Sequence, residues 1–194
     1  MLEAFLWSTG VVALGEMGDK TQLLALVLAV RFRRPWTIVA GIAVATLANH
    51  ALAGALGHWI ALQLGATTLR WVVGLGFIAM AAWMLVPDRL DDDDAAVARA
   101  GHWGVFATTV VAFFLAEVGD KTQLATVALA ARFPDLASVV AGTTVGLLLA
   151  DAPVVWLGDA LSRRLSMTGL HRVAAVLMAL IGMLALANVG AVFG

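Results

Sequence analysis

The chain has 194 residues, 62% of them hydrophobic, with a net charge of −1 and no cysteine. This balance excludes a basic nucleic-acid-binding surface, disulfides and thiolate metal sites. Mean hydropathy is +0.95, and apolar runs recur that are long enough to cross a hydrocarbon core of about 30 Å, so the class is an all-α integral membrane protein whose first solvent is the lipid bilayer.

The first predicted span runs from Phe5 to Val30. No basic n-region and no small-residue cleavage site precede its charges, so it reads as a retained transmembrane helix and not as a signal peptide. Its middle holds GEMGDKTQLLAL, Gly15 to Leu26, which places Glu16, Asp19 and Lys20 in an otherwise apolar run. The second span is Trp36 to Leu62 and carries His50 after Asn49; the third is Leu69 to Val86. Residues 88–102 contain DRLDDDD and read as an acidic cytoplasmic linker between residues 1–87 and residues 103–194. A run of four aspartates attracts hard cations, but a solvated, self-repelling linker is the favoured reading. The fourth span is Trp103 to Ala131, the fifth Leu136 to Leu161 with Asp151 inside it, and the sixth Arg172 to Phe193. The runs are too long, and too poor in dyad alternation, for a membrane barrel. All seven tryptophans fall near the proposed ends, where indole rings prefer to sit.

The odd loops carry eight arginines and the even loops two, Arg70 and Arg132. The odd loops are therefore expected in the cytoplasm, which leaves both termini on the outer, periplasmic face. The chain also repeats: Gly15–Phe32 aligned with Ala116–Phe133, at an offset of 101, gives 11 identities in 18 positions. Three spans in each half force the second half to enter the membrane upside down. The expected architecture is six transmembrane helices in two inverted three-helix repeats, a plan of secondary transporters whose site lies near the midplane.

The repeated phrase carries the chemistry. On a continuous helix Glu16, Asp19 and Lys20 share a face, Gln22 sits beside Asp19, and Thr21 points away. AEVGDKTQLATV repeats the pattern with Glu117, Asp120, Lys121, Thr122 and Gln123. Gly18 and Gly119 permit local unwinding or the close approach of another backbone. Charges at the bilayer centre are expensive and usually face a bundle interior. Four carboxylates against two ammonium groups leave two negative charges, which one divalent cation or two protons neutralise. Carboxylates and Gln amides are hard oxygen ligands that suit Ca²⁺, Mn²⁺ and Mg²⁺. The bland alternative is a structural network of Glu16–Lys20 and Glu117–Lys121 pairs, but it leaves Asp19 and Asp120 unexplained.

EMGDKTQ and EVGDKTQ resemble the duplicated Glu-x-Gly-Asp-Lys-Thr/Ser signature of a family of small cation transporters. That family includes the Golgi manganese/calcium transporter and bacterial manganese exporters, and is grouped with the cation/calcium exchangers. The resemblance covers essentially the whole chain. It implies antiport of Mn²⁺ or Ca²⁺ against protons, with the metal bound as substrate and no cofactor, and no enzymatic activity. It places the motif acids on Glu16, Asp19, Glu117 and Asp120, with Lys20, Lys121, Thr21 and Thr122 beside them. The short N-terminus fits a bacterial version, in the inner membrane.

His50 and Asp151 correspond at the repeat offset, both at membrane depth. A coupling role, as proton carrier or member of the metal shell, and a helix-packing hydrogen bond weigh about evenly, with Asp151 favoured over His50 because a buried carboxylate costs more to keep. His58, Asp159 and Asn188 fall near span ends, where solvation explains them. Rival functions are an exporter of small organic cations or amino acids, disfavoured by the lack of aromatic residues in the phrases, a channel, and a non-transporting scaffold. Mn²⁺ and Ca²⁺ accept the same oxygen ligands, and a homo-oligomer is compatible with all of these readings.

Overall fold

The computed structural model describes residues 1–86, 104–157 and 167–187, and every regular element among them is an α-helix. In chain order these are α1 (Leu2–Glu16), α2 (Lys20–Phe32), α3 (Pro35–Gln63), α4 (Ala66–Trp83), α5 (Val105–Glu117), α6 (Lys121–Arg132), α7 (Leu136–Leu157) and α8 (Met167–Leu186). The helices α3, α4 and α7 are long and apolar enough to cross a membrane. The acidic linker, Trp103, Asp159 and Asn188 lie outside the described residues.

The boundaries have local causes. Pro35 stands in the first turn of α3, where its missing N–H costs nothing. Arg33 ends α2 in the left-handed region, at φ 51°, and its N–H bonds the Ala29 carbonyl. Asp135 precedes α7 and accepts from the Ser138 hydroxyl at 2.6 Å and the Ser138 N–H at 3.2 Å. Those two bonds hold the Asp135 carboxyl below the usual carboxylate range. The N-terminal ammonium lies 3.6 Å from the same carboxylate, which brings the start of α1 beside the start of α7.

The continuous first and fourth spans expected from the sequence are not what forms. Each is broken in its middle. α1 ends at Glu16 and α2 begins at Lys20; α5 ends at Glu117 and α6 begins at Lys121. Between them Met17 and Val118 turn to extended backbone, and Gly18 and Gly119 take φ 87° and 77°. Glycine enters that region without steric penalty, so one glycine per copy permits the break. The repeat offset survives in three dimensions: Arg31 lies over the Phe32 ring at 4.9 Å, and Arg132 over the Phe133 ring at 4.8 Å.

The helices interlock across the repeat. α1 packs mainly on α7, α3 on α5 and α6, and α4 on α8. Small residues set the spacing, as expected where lipid removes the hydrophobic drive for association. A Cβ on Gly142 would lie 2.5 Å from the Phe5 carbonyl oxygen and 2.9 Å from Ser8 Cβ. Its counterpart Gly41 would meet Thr109 Cβ at 2.7 Å. Trp7, Trp36, Trp59, Trp71, Trp83 and Trp156 are all exposed, as residues facing lipid or its boundary should be. Met80, Met84 and Met178 are buried filler, and Met183 is exposed.

Gly142→Ala should destabilise the protein by about 1–3 kcal/mol, because backbone on α1 cannot yield to the added methyl. Gly76 has nothing within 4 Å of its would-be Cβ, so Gly76→Ala should be neutral or gain up to about 1 kcal/mol of helix propensity. Denaturation in detergent micelles measures both.

Candidate functional site

The two breaks place four helix ends together in the protein interior. The C-termini of α1 and α5 deliver Glu16 and Glu117, while Asp19 and Asp120 immediately precede α2 and α6, Asp120 alone capping its helix with its side chain. Glu16, Asp19, Glu117, Lys121 and Thr122 are buried, and Asp120 is 4% exposed. Carboxylate oxygens of Glu16, Asp19 and Asp120 all lie within 4.8 Å of one another. Glu117 and Asp151 are near enough for their charges to act on Glu16, and Asp120, Asp151 and Asp19 act likewise on Glu117. The structure thus gathers five acids, all four from the repeated phrase together with Asp151.

The break overturns the single-face picture. Glu16 and Lys20 stand on different helices, so the expected Glu16–Lys20 and Glu117–Lys121 helical pairs have no helix to form on. The ion pair that does form crosses the repeat: Lys121 Nζ lies 2.5 Å from Asp19 Oδ1. Lys20 is half-buried. Thr21 does not point away, since its hydroxyl donates to Glu16 Oε1. Thr122 does the same in the second copy, donating to Glu117 Oε2 at 3.1 Å and Asp120 Oδ2 at 3.3 Å. Glu16 Oε2, Glu117 Oε1 and both Asp151 oxygens have no hydrogen-bond partner among the described residues. Buried oxygens of this kind are costly unless something satisfies them.

The two glutamines brace the breaks. Gln22 Oε1 accepts the Gly18 N–H at 3.0 Å, and Gln123 Oε1 accepts the Gly119 N–H at 2.9 Å. Their amide nitrogens then reach other helices. Gln22 Nε2 donates to the Ala150 carbonyl at 3.1 Å, and Gln123 Nε2 to Asn49 Oδ1 at 2.9 Å. Asn49 in turn donates to the Phe114 carbonyl at 3.0 Å. Unwound backbone inside a membrane protein must be satisfied by protein or water, and these amides do it. Sequence reasoning passed over Asn49; a lone amide in an apolar helix was the available signal.

His50 and Asp151 part company. Asp151 faces the acid cluster. His50 is buried with neither ring nitrogen hydrogen-bonded among the described residues.

The family described as Divalent cation/proton antiporter GDT1 matches residues 4–92 and 105–191. A Vibrio cholerae protein named "Putative manganese exporter" is 46% identical over 177 residues, covering 91% of this chain and 86% of that one. A GDT1-like protein of Synechocystis is 27% identical over 183 residues, covering 86% of this chain and 88% of that one. No solved structure matches.

Asn49→Leu and Gln123→Leu should each destabilise the protein, and the double variant should cost less than the two together. The coupling expected for one interhelical hydrogen bond in a membrane protein is about 0.6 kcal/mol, with about 1.7 as the upper end. A double-mutant cycle of unfolding in detergent reads it directly.

Proposed function

The chain belongs to the divalent cation/proton antiporter family GDT1, and from that premise we propose that it exports Mn²⁺ from the bacterial cytoplasm in exchange for protons. It is a multi-pass membrane protein of a transporter family, not of an enzyme family. The observation that carries the reading is the convergence of Glu16, Asp19 and Asp120 oxygens within 4.8 Å of one another in the buried interior. Hard carboxylate oxygens at this spacing suit a divalent cation. The Vibrio relative's name favours Mn²⁺ over Ca²⁺, which the same ligands would also accept.

Six spans in two inverted repeats, residues 1–87 and 103–194 joined by the acidic linker, complete the proposal. Meeting of Met1 and Asp135 on one side of the molecule supports it, because inversion puts the N-terminus and the fourth loop together. The arginine distribution supports a periplasmic position for that side, in an inner membrane.

In this mechanism Glu16, Asp19, Glu117 and Asp120 bind the cation. Thr21 and Thr122 orient Glu16 and Glu117 by donating to one oxygen of each, which leaves the second oxygen for the substrate. Four motif carboxylates against two lysines leave two negative charges, which one Mn²⁺ or two protons balance equally. Asp151 adds a carboxyl to which a displaced proton can pass. Gln22 and Gln123 hold the breaks and turn their remaining lone pairs toward the cation. His50, buried without a hydrogen bond among the described residues, is a lesser participant. The pH difference drives export, because exchange of one Mn²⁺ for two protons moves no net charge.

Reconstituted protein should move Mn²⁺ into vesicles as protons leave. Glu16→Gln and Asp120→Asn should reduce this flux to background, and Thr122→Val should weaken Mn²⁺ affinity by about 10–100-fold, the usual range when a ligand loses its orienting partner. Metal movement without counter-movement of protons would end the antiport reading. A clear membrane current would end the two-proton stoichiometry.

A further inference from the structure

The two charged phrases are the same in sequence from Gly to Gln and different in structure. Asp120 caps its own helix: its carboxylate accepts the Thr122 N–H at 3.2 Å and the Thr122 hydroxyl at 3.3 Å. Asp19, its counterpart at the repeat offset, makes no side-chain bond to the start of its own helix. It holds Lys121 of the other phrase at 2.5 Å instead. The lysines differ in the same sense. Lys121 is fully buried, whereas Lys20 is half-buried and makes no ion pair with any described residue, Asp120 included. Packing follows suit. α6, which begins with Lys121, rests on α4; α2, which begins with Lys20, makes no comparable contact with α8, the counterpart of α4, among the described residues.

The observed arrangement is one of two that the sequence permits. Exchanging the roles of the phrases would let Asp19 cap α2 through Thr21 while Asp120 releases Thr122 and takes Lys20. Every bond broken would be replaced by one between the same residue types, so the two arrangements are near in energy and a ligand can choose between them. A buried ammonium persists only beside a counter-charge, so each lysine that enters the site closes its own helix over it.

We propose that Lys121 and Lys20 are alternating tethered counter-ions that position the two access states. In the state seen here Lys121 sits on Asp19 and holds the α6 side, while burial of Leu24 and Ala125 alike leaves the acids occluded from both sides. In the opposite state Lys20 sits on Asp120, Lys121 withdraws, and the α2 side shuts. Each lysine in turn occupies a place among the acids that a cation would otherwise take, so substrate enters only from the side whose lysine is withdrawn. The transport consequence rests on the cation/proton reading above; the exchange of pairs does not.

The absence of native cysteine makes the test direct. Leu24 on α2 and Ala125 on α6 correspond at the repeat offset, and both are buried. Leu24→Cys and Ala125→Cys, made singly in the full chain in vesicles, report opening of each side to a membrane-impermeant thiol reagent. Lys121→Gln should raise labelling at position 125 by about tenfold and lower it at position 24. Lys20→Gln should do the reverse. Asp19→Asn should copy Lys121→Gln, and Asp120→Asn should copy Lys20→Gln. Should Lys121→Gln fail to fold, Lys20→Gln, which removes only a half-buried side chain, carries the test by itself. Shifts in the same direction from both lysines, or no shift from Lys20→Gln, would overturn the proposal. Mn²⁺ flux is measured on the same vesicles. Opposite shifts in a protein that moves no Mn²⁺ would keep the lysine exchange and remove the transport reading, while normal flux without opposite shifts would do the converse.

Discussion

A carboxylate at the centre of a bilayer costs about 2.5–3.5 kcal/mol even on the mildest insertion scale, and this chain buries Glu16, Asp19, Glu117, Asp120 and Asp151. That cost governs the rest. It requires the acids to face protein and one another, and it requires the polypeptide to supply donors where no water is assured. The helix breaks meet both needs at once. By ending α1 and α5 at a glutamate and setting an aspartate just before α2 and α6, they bring Glu16, Asp19 and Thr21 together with Glu117, Asp120, Lys121 and Thr122. A continuous helix would have spread each phrase over more than a turn and left its threonine on the far side.

The breaks create a second obligation, since unwound backbone exposes N–H groups. Gln22 and Gln123 meet it for Gly18 and Gly119, and each then spends its amide nitrogen on a neighbouring helix. The phrase is therefore a self-contained device. Glycine opens the helix, glutamine closes the backbone account, threonine orients the glutamate, and aspartate begins the next helix. The tight glycine contacts of α7 with α1 and of α3 with α5 hold the helices close enough for these short side chains to reach.

Much of this was legible in the sequence, and the limit has a physical reason. Span positions followed from hydropathy: Trp36 to Leu62 became Pro35–Gln63, and Leu69 to Val86 became Ala66–Trp83. The site residues followed from charge where charge is costly. The break itself did not follow, because periodicity assumes the helix it is used to find. A glycine within a helical pattern is equally consistent with continuation, close packing or rupture. Thr21 was misplaced by the same assumption. The Asp19–Lys121 pair and the Asn49–Gln123 bond join residues far apart in sequence, and pairing between repeats carries no local signature. For the offset pair His50 and Asp151 the sequence favoured Asp151 only slightly, by the cost of burying a carboxylate; the fold adds that Asp151 lies near enough to act on Glu16 and Glu117.

Duplication of the phrase raises a problem that one copy would not. Two identical motifs facing each other invite a symmetric arrangement, yet symmetry would bring both lysines and four acids into one pocket, with like charges opposed across the axis. The structure departs from it: one aspartate caps its helix and the other accepts a lysine. The departure relieves repulsion that a symmetric centre would concentrate, and the repeat supplies the same residue types for the mirror arrangement. On the lysine exchange proposed above, a sequence that says the same thing twice would acquire two states without encoding either one separately. The charge balance that makes the buried acids tolerable is then the quantity that differs between the states, which is what a passing cation or proton can act upon.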